Sequence, residues 1–309
     1  MLKGFIYFFF LCIFCINSCN DTSQQEVKKQ TDKEPTNFVK IIDATGKEVQ
    51  ILKKPERIIV TGTPLYTEIL IDIGARNRII AVTESPNNPP EVQNILKVGS
   101  PLQPNLEMVI KLKPDLVFGA FGEVREKLEN AGIPVILAGK APYDLIDSIE
   151  EIYSTIRTIG FIVGNTEEAE KVISESTKEI LKIEKLIAAS PSVTVAVLYI
   201  LENQPPYVQG KGTLPDSLLK RAKGLNSFSD IDGSQQISLE ALIKRDPEVI
   251  ITDPSQAQFI AENSKLRVLK AVQGNKVFGI QATQWVSSRV HVTFQSLAKY
   301  LHPNVDYNK

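Results

Sequence analysis

The sequence predicts an α/β protein of two lobes with central parallel sheets, joined by one long rigid helix. Three observations carry that prediction. From Val39 onward, short β-branched runs alternate with amphipathic helical patterns, the order expected of βα units with parallel strands. Residues 165–189 keep apolar side chains at helical spacing with no Pro or Gly among them. A segment of the first half also returns 133 residues later in the second.

In the first half, strands are expected at 57–61, 79–83, 115–119 and 134–138, with helices at 64–73, 106–112 and 123–130. Residues 143–162 read as a longer helix. The stretch 165–189 follows, with Asn165 or Thr166 able to cap its start and Glu167 and Glu168 suited to the positive end of the helix dipole. Ala169, Val172, Ile173, Ile180, Ile183 and Ile187 mark its apolar face. A rod of that length, roughly 36 Å at 1.5 Å per residue, suits a spine between lobes; an ordinary long surface helix is the alternative. The second half offers strands at 193–201, 248–252 and 276–280, and helices at 214–222, 239–244 and 289–301.

The echo pairs NLEMVIKLKPDLVF (105–118) with SLEALIKRDPEVII (238–251). Leu, Glu, Ile, Lys and Pro coincide, and each copy reads as capped helix, turn, Pro, acid, buried strand. Each also places a glutamate, Glu107 or Glu240, at the second position of its short helix. An acid there complements the helix dipole without further purpose. Its recurrence on both lobes points instead to a paired docking role.

The 309 residues are 43% hydrophobic with a net charge of −1, enough apolar content for one large or two medium cores. That excludes a chain dominated by disorder and argues against a nucleic-acid binder working by bulk charge. The three cysteines are Cys12, Cys15 and Cys19, and the two histidines are His291 and His302. A zinc site built from His and Cys has no ligand set here. One Lys precedes an apolar run from Phe5 to Ile16, of signal-peptide length and short for a bilayer span. The run ends in Ile16-Asn17-Ser18-Cys19, which resembles a bacterial lipobox with Cys19 as the lipid-bearing residue; a plain secretory signal cut near Ser18 is the alternative. Residues 20–36 hold one aliphatic residue, Val27, and read as a tether reaching roughly 20–25 Å. Cleavage before Cys19 would remove Lys3 and no acid, leaving 34 bases against 36 acids.

The expected organisation is a signal peptide at 1–18, a lipidated Cys and tether at 19–37, a first α/β lobe at 38–164, the spine helix at 165–190, a second α/β lobe at 191–303 and a tail at 304–309.

The stretches 41–58, 55–83, 98–119, 207–228 and 235–253, with a closing helix that ends YLHP, resemble substrate-binding proteins of ABC importers, in the subgroup for ferric siderophores, haem and cobalamin. The resemblance runs over about residues 38–303. It implies two Rossmann-like lobes of the class III periplasmic binding protein type, a monomer bridged by one rigid helix, with a small-molecule metal chelate held between the lobes. It also implies an exported protein, anchored to the cell envelope by lipid on Cys19, that docks Glu107 and Glu240 on arginines of a permease dimer in the inner membrane. No catalytic residue, resident cofactor or protein-held metal is implied, and no nucleic-acid partner. Exposed charge pairs of that kind steer and orient association more than they add affinity.

Clefts of this type are lined at strand-to-helix turns. Candidates are Tyr66, Glu84, Leu102 and Phe121 in the first lobe, and Tyr207, Gln236, Trp285 and Arg289 in the second. Trp285, the only Trp, either covers a flat ligand face or caps the core beside the last helix. Arg289 either meets an anionic ligand or joins a surface ion pair. With Arg125 it is the only convenient cation at the turns, so a corrinoid or a neutral iron chelate is favoured over a strongly anionic siderophore. Haem would need an axial ligand, for which Tyr66 and Tyr207 are available. A surface lipoprotein that binds a protein partner is the reading from another class. Enzymatic readings fare worse: Gly210-Lys211-Gly212-Thr213 lacks the phosphate-loop pattern, and no nucleophile elbow is present.

Overall fold

The computed structural model describes residues 38–140, 146–200 and 204–308. Cys12, Cys15, the expected lipid site Cys19 and all of the tether lie outside the described residues. The described chain opens with an antiparallel hairpin, β1 (Val39–Ile42) and β2 (Glu48–Ile51). Its turn is closed by Asp43, whose carboxylate accepts the backbone N–H groups of Thr45 and Lys47.

A βα series follows: β3 (Ile58–Val60), α1 (Pro64–Asp72), β4 (Ile79–Val82), β5 (Leu96–Lys97), α2 (Leu106–Lys111), β6 (Leu116–Phe118), α3 (Gly122–Asn130) and β7 (Val135–Ile136). Its five strands form a parallel sheet in the order β5-β4-β3-β6-β7, winding outward both ways from β3. Then come α4 (Ile149–Val163) and α5 (Thr166–Leu186). The second half contains β8 (Val193–Tyr199), β9 (Tyr207–Gln209), α6 (Leu214–Arg221), β10 (Gly224–Asn226), β11 (Ser234–Gln236), α7 (Leu239–Arg245), β12 (Val249–Thr252), α8 (Pro254–Glu262), α9 (Lys270–Gln273), β13 (Val277–Gly279), α10 (Ala282–Trp285) and α11 (Val290–Leu301). Here β8, β12 and β13 run parallel, and one edge of β8 is shared. Its first three residues pair with β10 in parallel, and Leu198 and Tyr199 pair with antiparallel β9, which carries β11.

The β-branched runs explain why both sheets are covered on two faces. Successive strand residues point to opposite sides, and in β3, β4 and β6 all of them are apolar, as they are in most of β8 and β12. Ile58 and Val60 of β3, with Leu116 and Phe118 of β6, enter one cluster, while Ile59 and Val117 enter another on the far face. In the second sheet, Val195, Val197, Val249 and Ile251 join the first of these clusters, and Ala196, Leu198 and Ile250 face a third. One apolar cluster thus runs through both halves, and Ile156 and Ile159 of α4, Ile173 and Ile180 of α5, and Phe294 and Leu297 of α11 complete it.

The spine helix α5 has 21 residues, about 32 Å at the standard rise, and ends three residues earlier than the spacing suggested. It packs on α1, α4 and α11. Asn165 precedes it without capping it. Its side chain is taken by the first lobe: Nδ2 donates to the Ile73 carbonyl (2.7 Å) and Oδ1 accepts from Arg78 Nη2 (2.9 Å). The helix expected at 143–162 starts only at Ile149, and residues 141–145 lie outside the described ones. The strands β1, β2, β5, β9, β10 and β11 and the helices α8, α9 and α10 were not anticipated; most are two to four residues long, too short for periodicity to register.

The sequence echo is realised position by position. Asn105 caps α2 by accepting the Met108 N–H, and Ser238 caps α7 by accepting the Ala241 N–H. After each helix a non-glycine residue takes the left-handed conformation, Lys113 (φ 47°) and Asp246 (φ 43°). The acid that follows each Pro then reaches the beginning of the neighbouring central strand. Asp115 accepts from the Glu56 and Arg57 amides, and Glu248 from the Thr194 amide and hydroxyl.

Candidate functional site

In an open parallel sheet the loops at the carboxyl ends of the strands are where a ligand can be met. Here those loops surround two adjoining cavities. The first, of about 430 Å³, takes its walls from the loops after β3, β5, β6 and β7: Thr63, Pro64, Leu102, Phe121 and Lys140, with Ile146 beyond. The second, of about 540 Å³, lies between the same β3–α1 turn, the proline-rich segment 86–90 and residues 281–289 of the second half. Thr63, Pro64, Leu65 and Val286 line both, so the two form one cleft with a wall from each lobe.

Two glycines shape its floor. Gly62 after β3 and Gly119 after β6 touch backbone to backbone: a Cβ on Gly62 would stand 2.7 Å from the Gly119 Cα. Gly119 also holds φ at +95°, which a side chain disfavours. Tyr66 lies beneath them, 5% exposed, its ring tilted on Phe118 and its hydroxyl donating to the Ala138 carbonyl at 2.6 Å. Burial pushes that phenol up to about 12, so it stays protonated.

The cleft has two cations among its described lining residues, and both are committed. Lys140 Nζ lies 2.6 Å from Glu151 and 3.0 Å from Asp147, and these hydrogen bonds raise its pKa. Arg289 lies 2.7 Å from Asp72 and 3.3 Å from Glu91, and the Asp72 contact foremost holds the guanidinium above its ordinary value. The rest of the first cavity's wall is largely apolar: Leu65, Leu102, Phe121, Ile146 and Val286.

Of the residues expected at the cleft, the structure gathers Tyr66, Leu102 and Phe121 at the first cavity and Arg289 at the second. Leu102 is 77% exposed, a large apolar side chain standing open in the cleft. Trp285 is placed otherwise than on the ligand wall: it is 3% exposed inside the core cluster, beside Tyr199, because α10 turns the ring inward and leaves its neighbour Val286 on the cleft. Tyr207 and Gln236 are register partners on the β9–β11 extension and line neither cavity. Glu84 is exposed, its amide donating to the Gly99 carbonyl, and it too lines neither cavity. Arg125, named among the convenient cations, is buried on Asp43 (2.8 Å) and Glu129 (2.9 Å). Lys140, Glu68 and Val286 escaped sequence reasoning, although each lies within a few residues of a strand or helix end facing the cleft.

Glu107 and Glu240 are both exposed in the first turns of α2 and α7, and no ion pair to either is found among the described residues. The Glu240 backbone amide, the Ser238 hydroxyl and nearby Lys265 hold the Glu240 carboxyl below its usual range. No three His, Cys, Asp or Glu side chains gather to hold a metal ion among the described residues. His302 is buried against the Ala222 carbonyl, 2.8 Å from Nε2, and His291 lines a separate cavity behind the cleft.

Two α/β lobes, a bridging helix and a cleft walled from both sides define a two-lobed solute-binding protein of the class III periplasmic binding type. The chain belongs to the periplasmic binding protein family, which it matches over residues 59–283. It is 28% identical over 305 residues to an uncharacterized ABC transporter substrate-binding lipoprotein of Bacillus subtilis, covering 95% of each chain. It is 27% identical over 242 residues to a cobalamin-binding protein of Halobacterium salinarum, covering 75% of this chain and 63% of that one. A solved structure described as a possible iron-binding, periplasmic solute-binding protein from Staphylococcus epidermidis superposes with a TM-score of 0.70 at 24% identity, over 81% of this chain and 100% of that one.

Proposed function

We propose that this protein is the extracytoplasmic substrate-binding component of an ABC importer, anchored by lipid on Cys19. In this reading it captures a near-neutral metal chelate, cobalamin or a ferric siderophore, between its lobes and presents it to the permease through Glu107 and Glu240. The observation that carries the ligand class is the state of the cleft's cations. Lys140 and Arg289 each already face two carboxylates, so an anionic chelate would have to displace an ion pair to gain one. An apolar wall bearing Leu102, Phe121 and Ile146 suits a large ligand with little net charge. The cobalamin-binding relative supports the ligand class, and the lipoprotein relative supports the importer role and the lipid anchor. Haem fits less well, since the Tyr66 hydroxyl is sequestered on Ala138 and neither histidine lines the cleft.

Calorimetric titration of the full chain with cyanocobalamin, a ferric hydroxamate, a ferric catecholate and haemin tests this. Saturable binding of cyanocobalamin or the hydroxamate, with weaker or no binding of the anionic catecholate and no axial-ligand shift in the haemin spectrum, is expected. Haemin binding with such a shift would replace the reading with a haem receptor. Saturable binding of none of the four would remove the chelate reading.

A further inference from the structure

Behind the cleft, the link between α10 and α11 is tied to α1 by side chains far apart in sequence. Glu68 and Asp72 are one helical turn apart on α1 and so present their carboxylates on one face. Glu68 Oε2 accepts from the Ser287 hydroxyl (2.8 Å) and from the Ser288 amide (2.9 Å). Asp72 Oδ2 accepts from the Ser288 hydroxyl (2.7 Å), and Asp72 Oδ1 from Arg289 Nη2 (2.7 Å) and Nε (3.1 Å). Glu91, beyond β4, accepts from the same guanidinium at 3.3 Å, while its backbone carbonyl accepts from Arg76. Five second-lobe donor groups thus close on three first-lobe carboxylates. Glu68 and Asp72 keep only 18% and 14% of their side-chain surface exposed, so solvent screens these bonds less than it would a surface pair.

The tie stands as a wall between two spaces. Glu68, Ser287 and Arg289 face the cleft, whereas Asp72, Ser288 and Arg289 line a cavity of about 500 Å³ between α1, the spine helix and the start of α11. The spine joins the lobes covalently and the shared apolar cluster packs them together on the spine side. The polar cluster adds a directional attachment at the edge of the cleft, where Glu68, Ser287 and Arg289 line the cavity.

We propose that Glu68, Asp72, Ser287, Ser288 and Arg289 form an interlobe clasp that sets the opening of the cleft, with Asp72 and Ser288 acting as positioning residues that line neither cleft cavity. The proposal rests on the two-lobed capture reading, but it predicts behaviour of the empty protein and so can fail separately from the ligand class. The test compares the full chain with Asp72→Asn and Ser288→Ala, without added ligand, by solution X-ray scattering and amide exchange. Losing one such charged contact should speed exchange of the backbone amide at position 288 roughly tenfold, and the scattering profile should shift toward a wider lobe separation. Exchange in β3 and β8 should stay at the level of the parent. Unchanged scattering and unchanged exchange at position 288 in whichever variant folds would overturn the clasp. Equal acceleration at position 288, β3 and β8 would overturn it too, because the residues would then be supporting the fold in general. Asp72→Arg combined with Arg289→Asp should bring exchange at Ser288 back toward the parent rate.

Discussion

Asp115 and Glu248 do the same work 133 positions apart: each carboxylate follows a Pro and receives the backbone N–H at the head of the central strand beside it. Removing either should leave strand-end amides without their acceptor. Asp115→Ala and Glu248→Ala are expected to cost about 1–2 kcal/mol each, and urea unfolding measures it.

The same pair sets an acid limit. Burial alone would raise the Asp115 carboxyl, but Lys53 and the Glu56 and Arg57 amides outweigh it and hold the group below its ordinary value. For Glu248 the Thr194 amide and then its hydroxyl hold the carboxyl down. Folded-state values below the unfolded ones mean that the contribution is complete above the unfolded pKa of about 4 and is lost as pH falls through the folded values. Urea midpoints taken from pH 6 to pH 3 should therefore fall more steeply for the parent than for Asp115→Asn with Glu248→Gln. Parallel curves would show that these carboxylates carry no linked stability.

The exposed glutamates should matter for transport alone. Glu107→Ala with Glu240→Ala is expected to abolish uptake in cells that depend on this importer while leaving calorimetric ligand affinity unchanged. Undiminished uptake would mean that both are simply acids at helix starts.

On the cleft floor, Gly119→Ala must fit a Cβ against the Gly62 backbone at a φ of +95°. A loss of about 2 kcal/mol or more is expected, read as a lower thermal midpoint. Gly46, which also has positive φ but nothing within 4 Å of its added Cβ, is the control and should cost less on replacement by Ala.

Cleft and core can be told apart by two aromatics. Phe121→Ala should weaken chelate binding about tenfold, as expected for losing one aromatic contact of about 1.4 kcal/mol. Trp285→Phe should lower stability by about 1–3 kcal/mol through repacking of the core and leave affinity within about twofold. The reverse ordering in calorimetry would return Trp285 to the ligand wall.

Much of the fold was legible because its buried strands are uninterrupted β-branched runs and its helices carry their own caps, as at Asn105 and Ser238. The antiparallel edge β9–β11 was not, since Ser234–Gln236 is polar throughout and takes its strand form from pairing with Tyr207–Gln209. At the site, strand-end reasoning found Tyr66 and Phe121 because they stand at the starts of the helices that follow β3 and β6, Tyr66 in the first turn of α1 and Phe121 at the N-cap of α3. It left Trp285 open between the ligand wall and the core, because one residue of rotation in a four-residue helix decides whether Trp285 or Val286 meets the cleft; the core alternative is the one found. For Arg289 the ion-pair alternative is the one found, but its partners were out of reach, since Asp72 and Glu91 are some two hundred residues away in sequence.

The apolar cluster that takes one face of each sheet together with α4, α5 and α11 has a thermodynamic consequence. Neither lobe owns a complete interior on its spine side, because each closes that face with residues the other also uses. Independent melting would tear a shared surface in half, so calorimetry should record one cooperative transition with matching calorimetric and van't Hoff enthalpies, not two successive steps.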